Sequence, residues 1–224
     1  MFHVEKHPGG DIDMIFAMIA PDVEQLRRNP LSVPITVDQY HRMIAAGILE
    51  EGQPIELLEG ILVRKDRSRS GGNPMTVGHE HVWVVYQLGE LNERLKPHNC
   101  HIRTQQPITI PPDSEPEPDG TILRGPPDTY RQRLPGPADV LAVFEVADSS
   151  LHDDRTAKQR IYASAQLPRF IIINLVDRVI EVCTAPDPSQ GRYAALQTLR
   201  PGQILPLPTG TEKFVDVAVE KLLP

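Results

Sequence analysis

The stretch DVLAVFEVAD (139–148) is almost unbroken in its apolar character and rich in valine, a pattern that predicts a central strand buried on both faces. RFIIINLVDRVIEVCTA (169–185) predicts two more strands joined near Asp177-Arg178, and IELLEGILVRK (55–65) predicts a pair about a turn at Glu59-Gly60. CHIRTQQPITI (100–110), DGTIL (119–123) and the stretch from Tyr193 to Leu199 complete the predicted strands. Helical spacing appears elsewhere. TVDQYHRMIAAGIL carries Thr36 with Gln39 three residues on, a capping-box pattern, before Tyr40, Met43 and Ile44 and a stop at Gly47. From Val77 to Leu95 the stripe Val82, Val85, Leu88, Leu91, Leu95 predicts a longer helix closed by Pro97, with His79, Glu90, Asn92 and Glu93 off that stripe. Further helices are predicted from Asp153 to Gln166 and from Lys213 to Leu222. The alternation of strands and helices predicts an α/β fold.

Residues 1–34 show no period and contain Pro8, Pro21, Pro30 and Pro34, so they are expected to be an irregular N-terminal arm with one short helix near Asp22 to Arg28. Residues 35–224 are expected to form one domain, because 224 residues lie within what a single core absorbs. The 23 prolines against 5% aromatic residues add long, stiffened loops, such as SRSGGNPM, PPDSEPEP and RGPPDTYRQRLPGPAD.

Cys100 and Cys183 are far apart and lack CxxC spacing, which suggests neither a thiolate metal site nor a disulfide framework and fits a reducing cytoplasm. The apolar run MIFAMIA (14–20) is flanked by Asp11, Asp13 and Asp22, has no basic leader and is too short to span a bilayer, so no membrane association is expected. A formal charge of −7 argues against a protein that coats nucleic acid nonspecifically, yet leaves room for a nuclease whose carboxylates are compensated by a divalent cation. The basic run VRKDRSRSGG (63–72) reads equally as a backbone-tracking segment or a solvated loop.

Within this frame Glu145 is the anomaly, because an ionised carboxylate in a buried strand needs a pair, hydrogen bonds or a metal. Asp119, in PEPDG (116–120), is its natural companion, although Pro-Asp-Gly is also a common turn. Mg²⁺ takes one or two carboxylates and completes its shell with water and phosphate oxygens, so two strand-end acids suffice. His79 and His81 stand one residue apart and cannot share a helix face, which excludes a zinc-protease pair. His79 alone, facing the acids, reads as a ligand, a phosphate contact, a proton carrier or an idle surface residue; Glu56 divides between site acid and exposed strand residue. Lys158 stands one helical turn from Ile161, at the margin of the buried face, where it can reach Glu145 or form a surface pair with Asp154.

The order ELLEG, a helix-borne His79, QQPI, PEPDG, VFEVADSS with DRTAKQRIYA, and RFIIINLVDR resembles the Uma2 family of restriction-endonuclease-like proteins, within the PD-(D/E)XK nuclease superfamily, over roughly residues 36–222. The resemblance implies a restriction-endonuclease-like mixed central sheet flanked by helices. It also implies metal held by Asp119 and Glu145 with help from Glu56 and His79, and Gln106 nearby. The superfamily lysine usually follows its acid by two residues, but position 147 is Ala; in Uma2-like proteins it moves into the next helix, where Lys158 sits. Gly120 occupies a place where such proteins carry an apolar strand residue, loosening that strand. The implied activity is Mg²⁺-dependent hydrolysis of DNA phosphodiesters, with Mn²⁺ able to substitute; a homodimer is expected from the task of cutting two strands and not from particular residues. The alternatives are a catalytically silent nuclease-like interaction module and an enzyme acting on another phosphorylated substrate.

Overall fold

The computed structural model describes residue 29 and residues 31–50, 52–64, 78–148 and 150–224. The predicted arm helix and most of the basic run 63–72 lie outside the described residues. The first described helix, α1 (Val37–Ala45), starts with the capping box read from sequence: Gln39 N–H donates to Thr36 Oγ1 at 3.2 Å and Thr36 N–H donates to Gln39 Oε1 at 2.8 Å. The hairpin of β1 (Ile55–Leu58) and β2 (Ile61–Arg64) turns through Glu59 and Gly60, both left-handed at φ 49° and 80°.

Next comes α2 (His79–Glu90), followed by the single turn α3 (Asn92–Leu95) and a 3₁₀ turn ending at left-handed Asn99. A six-stranded sheet in the order β3-β4-β5-β6-β7-β8 forms the centre. It consists of β3 (Cys100–Arg103), β4 (Gly120–Arg124), β5 (Val140–Ala147), β6 (Arg169–Asn174), β7 (Val179–Asp187) and β8 (Arg192–Leu199). Only β5 and β6 run parallel; the crossover between them is a helix, α4 (151–164), built from Leu151–Asp153, a π turn at Asp154–Lys158, and Gln159–Ser164. The sheet is therefore mixed and flanked by helices, as the resemblance implied.

Both faces of the sheet are covered, and strand alternation divides β5 between them. Phe144, Val146, Ile171 and Ile173 pack on Val84 and Leu88 of α2. Val143, Ala147, Phe170 and Ile172 pack on Ile161 and Tyr162 of α4 and on Leu58. Glu145 shares the parity of Val143 and Ala147, so it points to the α4 face.

Three elements depart from the sequence expectation. The strand expected over 100–110 ends at Arg103, because Gln105 is left-handed at φ 51° and turns the chain into a loop. The helix expected from Lys213 to Leu222 is instead the second strand of a hairpin, β9 (Ile204–Pro208) with β10 (Phe214–Ala218), followed by a 3₁₀ turn. Its buried residues Val215, Val217 and Val219 recur at two, which is a strand period. Through α2 and α3 the buried stripe runs Val84, Leu88, Leu91, Leu95, while Val82 is exposed, so it shares Leu88, Leu91 and Leu95 with the predicted stripe and differs at its start.

Gly120 opens β4 without loosening it. A Cβ at this position would stand 3.1 Å from Leu88 Cδ1, 3.3 Å from Ile102 Cδ1 and 3.4 Å from Phe144 Cβ, so the missing side chain lets α2 close onto the sheet. Gly120→Ala is expected to destabilise the fold by about 1–3 kcal/mol through overpacking, read as a lower urea midpoint at unchanged m-value. A midpoint equal to wild type would mean that the helix yields freely.

Candidate active site

Pairing of Gly120 with Phe144 places Asp119 and Glu145 at the same end of neighbouring antiparallel strands. Asp119 is fixed on both oxygens. Val146 N–H donates to Oδ2 at 2.9 Å, and His81 Nε2 lies 3.1 Å from Oδ1. The other ring nitrogen of His81 is 3.2 Å from the Val146 carbonyl, so strand β5 and the carboxylate together orient the imidazole. Burial pushes the Asp119 carboxyl up. The hydrogen bond and charge of His81, with Lys158 and the Val146 amide, outweigh that and hold it below the usual carboxylate range.

Glu145 is 3% exposed and receives two donors on one oxygen: Lys158 Nζ at 2.9 Å and the Tyr162 hydroxyl at 2.7 Å. Burial pushes its carboxyl up to about 8, against the pull of Lys158 and with the repulsion of Asp154, Asp119 and Glu56. Lys158 also lies 3.6 Å from Glu56 Oε1, the same oxygen that accepts from Glu117 N–H at 2.6 Å. Burial lowers the ammonium pKa, but Glu145, Glu56, Asp154 and Asp119 surround it and raise it well above its ordinary value. The lysine side chain is only 13% exposed, so it stands inside the cluster and not on a surface margin.

The π turn of α4 presents Asp154 and Lys158 to the same interior, and such turns recur at functional sites. Asp154 accepts from Ser150 Oγ at 2.7 Å, and burial pushes its carboxyl up to about 6. From the same turn, Arg155 reaches across the sheet to the buried Glu181 of β7, donating through Nε at 3.0 Å and through Nη2, which anchors the turn.

Of the residues named from sequence, Glu56, Asp119, Glu145 and Lys158 come together here. His79 does not: it is exposed at the start of α2, and a neighbour two positions along a helix faces about 200° away. His81 takes the place expected of His79. The signal was present, because His81 continues the buried series Val84, Leu88, Leu91, Leu95 at helical spacing. Gln106 is exposed and accepts from Arg103 Nη2 at 3.0 Å, with no hydrogen bond to the acids. Asp154 and Tyr162 were not read as site residues; Tyr162 lies four residues beyond Lys158 and shares its face.

Hard oxygen donors on Asp119, Glu145 and Glu56 have the chemistry that Mg²⁺ prefers. Among the described residues no three His, Cys, Asp or Glu side chains form a ready metal cage, so most ligands at this site would have to be water or substrate oxygens.

Comparison with known proteins agrees with this architecture. A family described as "Uma2: Putative restriction endonuclease" matches residues 37–220. No curated protein matches. A crystal structure from Anabaena variabilis, described as a "putative nuclease belonging to DUF820", superposes with a TM-score of 0.60 at 16% identity over 84% of this chain and 97% of that chain. At that identity the likeness concerns the fold. The family match covers most of the chain, from α1 to the last 3₁₀ turn, and on that ground the chain belongs to the Uma2 family.

Proposed function

We propose that this protein hydrolyses phosphodiester bonds of DNA with a divalent cation, Mg²⁺ with Mn²⁺ able to replace it, held by Asp119 and Glu145. One observation carries the reading: Lys158, from the helix after β5, is buried beside Glu145 and Glu56 and within the field of Asp119, four segments converging on one lysine. When bound, the cation would supply a more acidic water and neutralise charge on the phosphate. The chain's own part is positional and electrostatic. His81 and the Val146 amide keep Asp119 ionised and aimed. Lys158 has donors beyond the one given to Glu145, and these can meet a phosphate oxygen as negative charge grows on it. Tyr162 fixes the rotamer of Glu145.

The free, buried thiols of Cys100 and Cys183 support a reducing compartment, and among the described residues no helix is long and apolar enough to cross a membrane. Cutting both strands would be served by two copies of the chain. A second reading, a silent interaction module, draws on the same contacts, because the site already satisfies Glu145 from within.

Supercoiled plasmid incubated with Mg²⁺ or Mn²⁺ separates the two. Wild type is expected to nick and linearise it. His81→Ala is expected to be about 10–100-fold slower, the usual effect of removing a group that orients a ligand. His79→Ala should match wild type and Asp119→Ala should give no product. Intact plasmid with wild type would favour the silent module, and equal loss in the two histidine variants would undo the assignment of His81.

A further inference from the structure

Register partners across three strands put two buried acids on one line. Glu145 of β5 lies beside Ile172 of β6, and Ile172 lies beside Glu181 of β7, so both carboxylates rise from the α4 face about 10 Å apart, two strand spacings. Glu181 is 5% exposed. One turn of α4 supplies both counterions: Lys158 to Glu145 and, from three residues earlier, Arg155 to Glu181.

The first pair belongs to the candidate active site, and the second stands beside it with a more rigid build. Arg155 donates to both oxygens of Glu181, through Nε at 3.0 Å and through Nη2, which is the planar fork of a bidentate pair. Asn174, fully buried at the end of β6, holds Glu181 from the other side. Its Nδ2 donates to Glu181 Oε1 and to Asp177 Oδ2, both at 2.9 Å, while its Oδ1 accepts from Asp177 N–H at 2.9 Å. Glu181 is therefore fixed to the β6–β7 turn, and Arg155 docks on a rigid acceptor.

Both cations ride on the π turn Asp154–Lys158. Such a turn is rare and interrupts the ordinary helical ladder, so contacts outside the helix have to select it. Asp154 and Thr156 bond only to Ser150, His152 and Asp153, in or next to the helix itself, and Ala157 has no polar side-chain group. Among the described residues, the side chains of Arg155 and Lys158 alone carry hydrogen bonds from this turn to other elements. A lysine on a flexible four-carbon stem does not fix the register of the turn that bears it, whereas a guanidinium fork on a rigid carboxylate does.

We infer that Arg155 and Glu181, with Asn174 behind them, are positioning residues: their fork holds the π turn in the register that delivers Lys158 to Glu145. The catalytic consequence rests on the proposed hydrolysis; the placement of the lysine does not.

The test acetylates lysines of the metal-free protein with an amine-reactive ester and reads each site by peptide mass spectrometry. Lys158, with a side chain 13% exposed, should react slowly in wild type, and the exposed Lys96, Lys213 and Lys221 serve as internal standards. Arg155→Met leaves Glu181 buried and unpaired, so it should lower the melting temperature. Adding Glu181→Leu removes the second charge and should recover most of that loss, because replacing both partners of a buried pair is close to neutral. In the single and the double variant alike, labelling of Lys158 is expected to rise about tenfold against the standards as the turn opens. Plasmid cleavage is expected to fall about 10–100-fold in both, the usual effect of losing an outer support. Arg155→Lys keeps the charge and loses the fork, so its labelling should lie between wild type and the double variant. Recovered stability without recovered protection is a combination that a merely structural pair would not give. Wild-type protection of Lys158 in the double variant, or in Arg155→Lys where the double variant does not fold, would overturn the inference and leave the hydrolytic reading intact. Raised labelling beside a wild type that cuts no plasmid would uphold the inference and remove the hydrolytic function.

Discussion

Lys158→Ala is expected to lose plasmid cleavage by at least about a hundredfold and to lose about 3 kcal/mol of stability in the metal-free state. Both effects follow from one position. The ammonium is the cation among Glu56, Glu145, Asp154 and Asp119, and its hydrogen bond to Glu145 closes at 2.9 Å. Removing it takes away the donor offered to the phosphate and leaves buried carboxylates uncompensated.

The protein has one internal relief, which sets the sign of the pH dependence. Glu145 already titrates high because of burial, and without Lys158 it rises further. A carboxyl whose folded pKa exceeds its unfolded value contributes stability that is complete below the unfolded pKa and is lost as pH rises through the folded one. The instability of Lys158→Ala should therefore be small near pH 5 and large above about pH 8. Urea unfolding in EDTA at both ends of that window checks this. A variant as stable as wild type at high pH would mean that the lysine neutralises nothing. Lys158→Met, which fills the same space without charge, should restore packing and not cleavage.

How far such a site can be read from sequence depends on the period that carries each residue. The unbroken apolar run around Glu145 identified β5 as the central strand, because few other structures explain an acid inside VLAVFEVA. Asp119 and Lys158 were legible through their spacing to elements that strand defines. His81 was missed for a geometric reason. The predicted stripe began at Val82 and left His79 off it, whereas the buried series begins at Val84 and extends back three residues to His81. The C-terminal hairpin was missed because FVDVAVEKLL mixes a two-residue valine alternation with helix-favouring Glu and Lys, and burial against the sheet decides in favour of the strand. The π turn at Asp154–Lys158 and the burial of Asp154 have no local signal, and Arg155 of that turn pairs with Glu181 on a strand 26 residues away. Gly120 was legible as an exception and misread in sense: its empty position reflects the approach of Leu88, which exists only in three dimensions.

The other large expected effect concerns the cation. In EDTA, wild-type stability should fall as pH rises from about 5 to about 8, because Glu145 and Asp154 both have raised carboxyl pKa values, about 8 and about 6. Asp119 works in the opposite sense. Its pKa is lowered, so its contribution is present above its unfolded value and is lost only at lower pH, outside that window. Lys158 is raised and begins to lose its contribution only in strongly alkaline solution. A divalent cation held by Asp119 and Glu145 competes with the proton on Glu145, so it should stabilise little at about pH 5.5 and strongly at about pH 8. At a concentration a hundred times its dissociation constant a ligand adds about 2.7 kcal/mol, which for a chain of this length is a rise of about 5–10 °C in Tm. Glu145→Gln keeps an acceptor for Lys158 and Tyr162 but cannot ionise. Its Tm should vary less with pH across the window and should respond little to Mg²⁺ or Mn²⁺. Scanning calorimetry of the two proteins, with EDTA and with Mn²⁺ at both pH values, reads all of these shifts. A cation effect equal at both pH values, or undiminished in Glu145→Gln, would place the ion elsewhere and leave Glu145 as a structural partner of Lys158.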